Sequence, residues 1–110
     1  KGRISLNQFA ALTATNHAKL YGLYPHKGSI APGFDADLTL WDPNRRETIR
    51  QANLHHGSDY TPWEGFDVTG WPVVTIAGGQ VIAEDGRVLS EPGRGRVLDR
   101  AVDPAERRDA

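Results

Sequence analysis

The side chains of residues 36–41 alternate in character along the chain, and the other predicted elements are arranged around this pattern. One set is aliphatic and the other is mixed: Ala36, Leu38 and Leu40 alternate with Asp37, Thr39 and Trp41. A period of two predicts a strand with two different faces. Just before it, Pro32-Gly33 favours a type II turn, because proline fixes φ at the first central position and glycine accepts a positive φ at the second. The turn-forming residues 42–44 predict the end of this strand.

Three further short runs near the end of the chain have strand character, at residues 73–77, 80–84 and 87–89. They are separated by Gly78-Gly79 and Asp85-Gly86, and both pairs suit two-residue hairpin turns. This spacing predicts an antiparallel meander.

The stretch between these strands is less regular. Residues 45–50 carry charges at both ends and predict an exposed or edge strand. In residues 51–70, Gly, Pro, Ser and Asp surround Tyr60, Trp63 and Phe66, which predicts a long ordered loop held by aromatic side chains.

The first part of the chain predicts two short helices. Ser5 and Gln8 have the spacing of a capping box, in which each side chain satisfies a free backbone amide at the helix start. Asn16 is a favourable N-cap for a second helix, and Gly22 suits the left-handed residue after its end. The apolar stripes of these helices, which include Phe9 and Leu20, have no cover within the chain.

Composition limits the architecture and the function. The chain has 110 residues, enough for one small domain and too few for a (β/α)8 barrel, which takes about 250. A net charge of −1 does not indicate nucleic-acid binding, and no apolar run reaches the roughly 20 residues of a membrane span. Cysteine is absent, which excludes disulfides and thiolate metal sites and is compatible with a cytoplasmic location. Methionine is absent too and the chain begins Lys-Gly-Arg, so we expect a piece of a longer protein.

The side chains that could bind a metal are better explained by structural roles near their own positions in the chain. The four histidines show none of the usual ligand spacings, and the adjacent pair would point to opposite sides of an extended segment: His17, His26, His55 and His56. We expect the carboxylates of Asp35 and Asp42 to accept from nearby backbone amides in turns. Glu64 is expected to be a buried partner for a backbone amide or an arginine. These side chains are therefore interpreted as structural.

The arginines of the tail could suggest a nucleic-acid-binding segment. Acidic residues interleave with them and cancel the field that such binding needs: Arg94, Arg96, Arg100, Arg107 and Arg108 alternate with Asp99, Asp103, Glu106 and Asp109. We expect a solvated tail from residue 92 onward, partly disordered and frayed over its last ten residues.

Several separated motifs occur in an order that resembles a known family. They are G-x-I-x-x-G-x-D-A-D-L from Gly28 to Leu38, D-Y-T-P-W-E-G from Asp59 to Gly65, G-W-P-V-V-T-I from Gly70 to Ile76, and G-R-G-R from Gly93 to Arg96. This set resembles the C-terminal portion of hydantoinases and dihydropyrimidinases, which are cyclic amidohydrolases. The signature residues that carry the resemblance are Gly28, Gly33, Asp35, Ala36, Asp37, Asp59, Tyr60 and Gly65.

The resemblance implies an α+β fragment. Residues 1–27 would be the last helices of a (β/α)8 amidohydrolase barrel, residues 28–91 the C-terminal part of a small β-sandwich domain with a β-meander, and residues 92–110 a polar tail. It also implies a cytoplasmic homo-oligomer that opens a cyclic ureide or imide such as a hydantoin or dihydropyrimidine. Allantoinase-like and dihydroorotase-like activities remain alternatives.

The family's catalytic centre has no counterpart in this chain. The resemblance implies a pair of divalent metals, zinc by expectation, held by histidines, an aspartate and a carboxylated lysine, and none of those motifs is found here. No catalytic, metal-binding or substrate-binding residue is therefore assigned. Two other classes remain open: a non-catalytic scaffold resembling the collapsin-response-mediator proteins, and a free-standing β-rich interaction domain.

Overall fold

A computed structural model describes residues 2–101 of the chain. These residues form two compact units, one made of the residues up to 36 together with those from 92 onward, and the other of residues 37–91. The domain limits expected from the family, 27/28 and 91/92, stay a prediction. Residues 102–110, on which most of the expected fraying falls, lie outside the described residues. No described helix is long and apolar enough to cross a membrane.

The first unit contains a continuous helical stretch. It consists of α1 (Leu6–Ala10), a π-helical turn (Ala11–Thr15) and α2 (Asn16–Leu20). The predicted capping box is confirmed, because the Ser5 hydroxyl accepts from the Gln8 amide at 3.1 Å and the Gln8 side chain accepts from the Ser5 amide at 2.8 Å.

The predicted N-cap role of Asn16 is wrong, although α2 begins at this residue. Asn16 has helical dihedrals, φ −64° and ψ −40°, and its amide donates to the carbonyl of Ala11, five residues earlier. An N-cap needs a non-helical backbone, and no glycine or proline interrupts residues 6–20 to provide one. The helix therefore continues through residues 11–15 as a π turn, which joins α1 and α2 into one helical stretch. Gly22 has φ 68° just after the end of α2, as predicted.

The segment after the helices packs back on them. Gly28 lies against Ala18, which is only 5% exposed, and its carbonyl accepts from the Thr15 hydroxyl at 2.6 Å. The predicted turn at Pro32-Gly33 is confirmed, because the amide of Phe34 donates to the carbonyl of Ala31 at 3.1 Å and Gly33 has φ 92°.

The second unit is a four-stranded antiparallel sheet in the order β1-β2-β3-β4. Its strands are β1 (Leu38–Thr48), β2 (Asp67–Ala77), β3 (Gln80–Glu84) and β4 (Arg87–Val88). The predicted meander is confirmed. Both hairpin turns have positive φ at the two central residues, 56° and 78° at Gly78-Gly79 and 46° and 77° at Asp85-Gly86, which is the pattern of type I′ turns.

Two strand limits differ from the prediction. Residues 38–48 form one strand, although two strands separated by a turn were expected. Asp42 does initiate a local turn, since its carboxylate accepts from the amides of Asn44 at 2.9 Å and Arg45 at 3.2 Å. The turn is accommodated as an irregularity in the register with β2 between Asp42 and Arg46, which is possible because proline is tolerated on an edge strand.

Strand β2 begins at Asp67, well before the predicted start at residue 73. Pairing with the second half of β1 recruits this stretch into the sheet, with Thr48 opposite Asp67 and Arg46 opposite Thr69. The predicted loop therefore ends at residue 66.

Large apolar side chains remain accessible in both units. No large side chain is fully buried among the described residues, and Leu6 and Ile30 are each 86% exposed. Trp41 in β1 is 49% exposed and Trp63 in the loop is 57% exposed. Each unit thus presents apolar surface that residues 2–101 do not cover.

Candidate functional site

Asp35 is a signature residue that forms two ion pairs. Its carboxylate accepts from Lys27 at 2.7 Å and from Arg96 at 3.4 Å, and its side chain is 25% exposed. The hydrogen bond from Lys27 lowers the pKa of Asp35 below its ordinary value of 3.8, with a further contribution from Arg96. The predicted backbone-amide partners are wrong, because side chains that are distant in sequence supply the partners. The ion pair with Arg96 connects the segment before β1 to the G-R-G-R segment of the tail.

Asp37 fixes the entry into the sheet. Its carboxylate accepts from the amide of Gly78 at 2.7 Å, so the residue just before β1 binds the turn between β2 and β3. Ala36, its neighbour in the signature, is exposed. This hydrogen bond gives the aspartate at position 37 a structural role, and no bound ligand is needed to explain it.

The segment between β1 and β2 is closed by backbone contacts at its base. Ile49 exchanges two hydrogen bonds of 2.8 Å, with the carbonyl of Phe66 and the amide of Gly65. Glu64 accepts from the amide of Gln51 at 2.7 Å, which confirms the expected backbone partner, but the predicted burial is wrong because Glu64 is exposed. Trp63 and Phe66 meet edge to face with ring centroids 5.6 Å apart. The predicted aromatic contact within the loop is thus present for this pair.

The remaining signature residues of this loop lie at its surface. Asp59 is exposed, and Tyr60 is 69% exposed. Thr61 is nearly buried, and its hydroxyl accepts from the Trp63 amide at 3.3 Å. The structure therefore gives Gly65 a backbone role and leaves Asp59 and Tyr60 accessible.

The histidines contact different parts of the chain. The Nε2 atom of His55 lies 2.8 Å from the carbonyl of Gly86, and Nδ1 of His56 accepts from the amide of Ser58 at 3.2 Å. His17 stacks on Tyr21 with centroids 6.3 Å apart. In none of these contacts do two histidine side chains converge as ligands of one metal ion would.

The described residues do not fit a metal centre. Within residues 2–101, no three His, Asp or Glu side chains converge closely enough to hold an ion, whereas a catalytic zinc needs three protein ligands. No reaction step is therefore derived for a metal bound by this chain.

Arg45 forms a cluster that sequence reasoning missed. Its guanidinium binds Glu47 at 2.8 Å and Asp85 at 2.8 Å, and these bonds raise the pKa of Arg45, with Glu47 contributing most. The Glu47 contact was visible as an i, i+2 pair on one side of a strand. The Asp85 contact could not be predicted from the sequence, because it depends on where the β3–β4 turn lies relative to β1 in the folded sheet.

Comparison with known proteins assigns the family. The model of the amidohydrolase family matches residues 1–82. The chain belongs to the amidohydrolase family. Over 100 residues, this amidohydrolase chain is 45% identical to the D-hydantoinase of Ralstonia pickettii, covering 91% of the chain and 22% of that relative. It is 45% identical over 101 residues to the D-hydantoinase of Geobacillus stearothermophilus, covering 92% of the chain and 21% of the relative.

Solved structures agree with this assignment. A D-hydantoinase structure superimposes on the amidohydrolase chain with a TM-score of 0.87 at 45% identity, covering 90% of this chain and 22% of the other. A dihydropyrimidinase from Brevibacillus agri superimposes with a TM-score of 0.87 at 40% identity, covering 92% and 22%. The chain therefore spans about 22% of the length of the relatives that it matches. The hydantoinase and dihydropyrimidinase homologues confirm the resemblance found from the motifs.

Proposed function

We propose that this chain is the C-terminal segment of a cyclic amidohydrolase of hydantoinase type. The observation that carries the proposal is 45% identity to a D-hydantoinase over 91% of the chain. The reaction of the whole protein would be hydrolytic opening of a cyclic amide, with a five- or six-membered cyclic ureide or imide as substrate. The names of the relatives, D-hydantoinase and dihydropyrimidinase, support this substrate class.

The two units suit a structural role in that enzyme. The helical unit would supply the last helices of the catalytic barrel, and the sheet unit would supply part of the β-sandwich domain. This assignment is supported by the exposed apolar residues of both units, such as Leu6, Leu20 and Trp41. Such surface is expected where another part of the same protein packs.

In this proposal the chemistry takes place outside the chain. A pair of divalent metals, zinc by expectation, would activate the attacking water and polarise the amide carbonyl. The described residues do not provide its ligands. We also propose a cytoplasmic homo-oligomer, on the basis of the resemblance alone.

The decisive experiment uses the full-length protein that contains this chain. Purified enzyme is assayed with hydantoin, dihydrouracil, allantoin and dihydroorotate, before and after metal removal by a chelator. We expect turnover of hydantoin or dihydrouracil, loss of activity after chelation, and recovery on adding a divalent metal. Turnover of allantoin and dihydroorotate alone would contradict the proposed substrate class, and a protein that turns over none of the four would contradict the activity.

A further inference from the structure

The sheet unit contains a polar cleft that the signature motifs do not include. Its volume is about 590 Å³, and it lies where β1 ends and β2 begins. The residues that line it are Arg46, Glu47, Thr48, Arg50, Asn53, Asp67, Val68 and Thr69.

The strand register places four polar residues of this cleft on one face of the sheet. Arg46 is directly opposite Thr69, and Thr48 is directly opposite Asp67, so each pair shares a face. Arg50 continues the same alternation, because its backbone is extended, with φ −136° and ψ 137°.

This face of the sheet is more exposed than the opposite one. Arg46, Arg50, Asp67 and Thr69 are exposed and Thr48 is half-buried, whereas all three alternate residues, Glu47, Ile49 and Val68, are half-buried. An antiparallel sheet with one buried face keeps its polar face in water. The cleft is therefore expected to remain accessible when the other face is packed.

Two acids line the cleft together with the two arginines. Glu47 is paired with Arg45, and Asp67 accepts from the Thr48 hydroxyl at 2.6 Å. Within the part of the chain that the structure describes, neither Arg46 nor Arg50 forms a salt bridge. Two guanidinium groups on one polar wall suit a carboxylate, which arginine binds in bidentate fashion.

The same wall also carries acceptors. The carboxylate of Asp67, the hydroxyl of Thr69 and the amide oxygen of Asn53 line the cleft and can accept hydrogen bonds from N–H groups. We propose that this cleft binds a small carboxylate that also bears N–H donors, such as a ureido acid or an amino acid. Its carboxylate would contact Arg46 or Arg50, and its N–H groups would contact Asp67.

Ring opening of a cyclic ureide releases a molecule of this class, a carboxylate with a free ureido group. Only the identification of the ligand as a reaction product rests on the proposed function. Binding at the cleft is measured without turnover, so a protein that lacks hydrolytic activity still tests the site.

The test is calorimetric titration of the full-length protein with N-carbamoylglycine, glycine and acetate. We expect N-carbamoylglycine or glycine to bind at this cleft at least about tenfold more tightly than acetate, because acetate lacks the N–H donors. The double variant R46A/R50A is expected to lose one binding site per chain. The matched control R87A, an exposed arginine on β4 outside the cleft, is expected to retain it.

Thermal melting without ligand identifies any variant that fails to fold, and R46K/R50K then replaces the alanine variant. Lysine keeps the charge but not the bidentate geometry, so its affinity is expected to fall. The proposal is overturned if the wild-type protein binds none of the probes at a site outside the catalytic centre. It is also overturned if folded R46A/R50A or R46K/R50K binds the same number of molecules with unchanged affinity, or if acetate binds as tightly as the other two.

Discussion

Gly28 and Gly33 both have a positive φ, 91° and 92°, but their surroundings differ. A Cβ atom added to Gly28 would clash with Cβ of Ala18 and lie 3.2 Å from the carbonyl oxygen of Ala14, whereas nothing lies within 4 Å of the same atom at Gly33. The first glycine is required by both conformation and close packing, and the second by conformation alone.

We therefore expect Gly28→Ala to destabilise the intact protein strongly. Conformational strain of about 1–2 kcal/mol adds to overpacking of about 1–3 kcal/mol against a helix backbone that has little room to move. The matched control Gly33→Ala should lose only the conformational part. Urea unfolding of both variants measures the difference, and equal losses would contradict the close contact at Ala18.

The Asp35 carboxylate predicts a pH dependence at low pH. Because Lys27 and Arg96 lower the pKa of Asp35 in the folded state, the unfolded chain takes up the proton first as the pH falls. The stabilisation is therefore fully present above the ordinary pKa of 3.8 and is lost as the pH falls through the lower folded value.

The variant Asp35→Asn tests this dependence. We expect it to be less stable than wild type at neutral pH and to approach wild type below the folded pKa, as measured by unfolding across a pH series. The effect should be small because ion pairs near the surface contribute little. A difference between the two proteins that stays constant at every pH would contradict the ion pair.

At the scale of elements, hydrogen bonds at its base hold the loop that connects β1 and β2. The Glu64 carboxylate accepts from the amide of Gln51, and the two bonds of Ile49 close the same loop. We expect Glu64→Ala to lower the free energy of local opening by about 1–2 kcal/mol, since the bond involves a charged acceptor. Hydrogen exchange at residues 49–66 measures it.

Glu64→Gln is the matched control, because its amide oxygen still accepts from Gln51. We expect exchange in this variant to remain close to wild type. Similar acceleration in both variants would show that the negative charge, and not the hydrogen bond, stabilises the loop.

The elements that were predicted correctly are those specified by local chemistry. The capping box at Ser5, the turn at Pro32-Gly33 and the two type I′ hairpins each depend on residues adjacent in sequence. The errors at Asn16 and Asp42 have the opposite origin. In both places a residue with a strong preference for the boundary of an element lies inside a longer one, because pairing or helical continuation on both sides outweighs the local preference.

At the scale of the whole molecule, exposed apolar surface dominates the expected behaviour. Leaving a large side chain exposed forfeits about 1.5–3 kcal/mol each, and a few of them amount to a substantial share of the 5–15 kcal/mol typical of a domain. Leu6, Leu20 and Ile30 are exposed to 86%, 62% and 86%. Strand β1 also forms an edge of the sheet over its full length, and free edges promote self-association.

We therefore predict that the 110-residue chain made alone self-associates, hydrolyses no cyclic amide and retains no stoichiometric catalytic metal. Light scattering and metal analysis after dialysis measure these properties. A monodisperse monomer or tightly held zinc would contradict this prediction and would favour a self-sufficient small protein.

The sequence by itself determined the family, the meander and the local turns, because motif spacing, period-two alternation and turn chemistry act between near neighbours. Only the tertiary structure decided the partners of Asp35, the bonds of Arg45 and the polar cleft at Arg46 and Arg50. These features join residues that are up to 61 positions apart, and their existence depends on strand register and on the return of the tail to the helices. No local preference encodes such distances, since the packing of the chain alone brings these charges together.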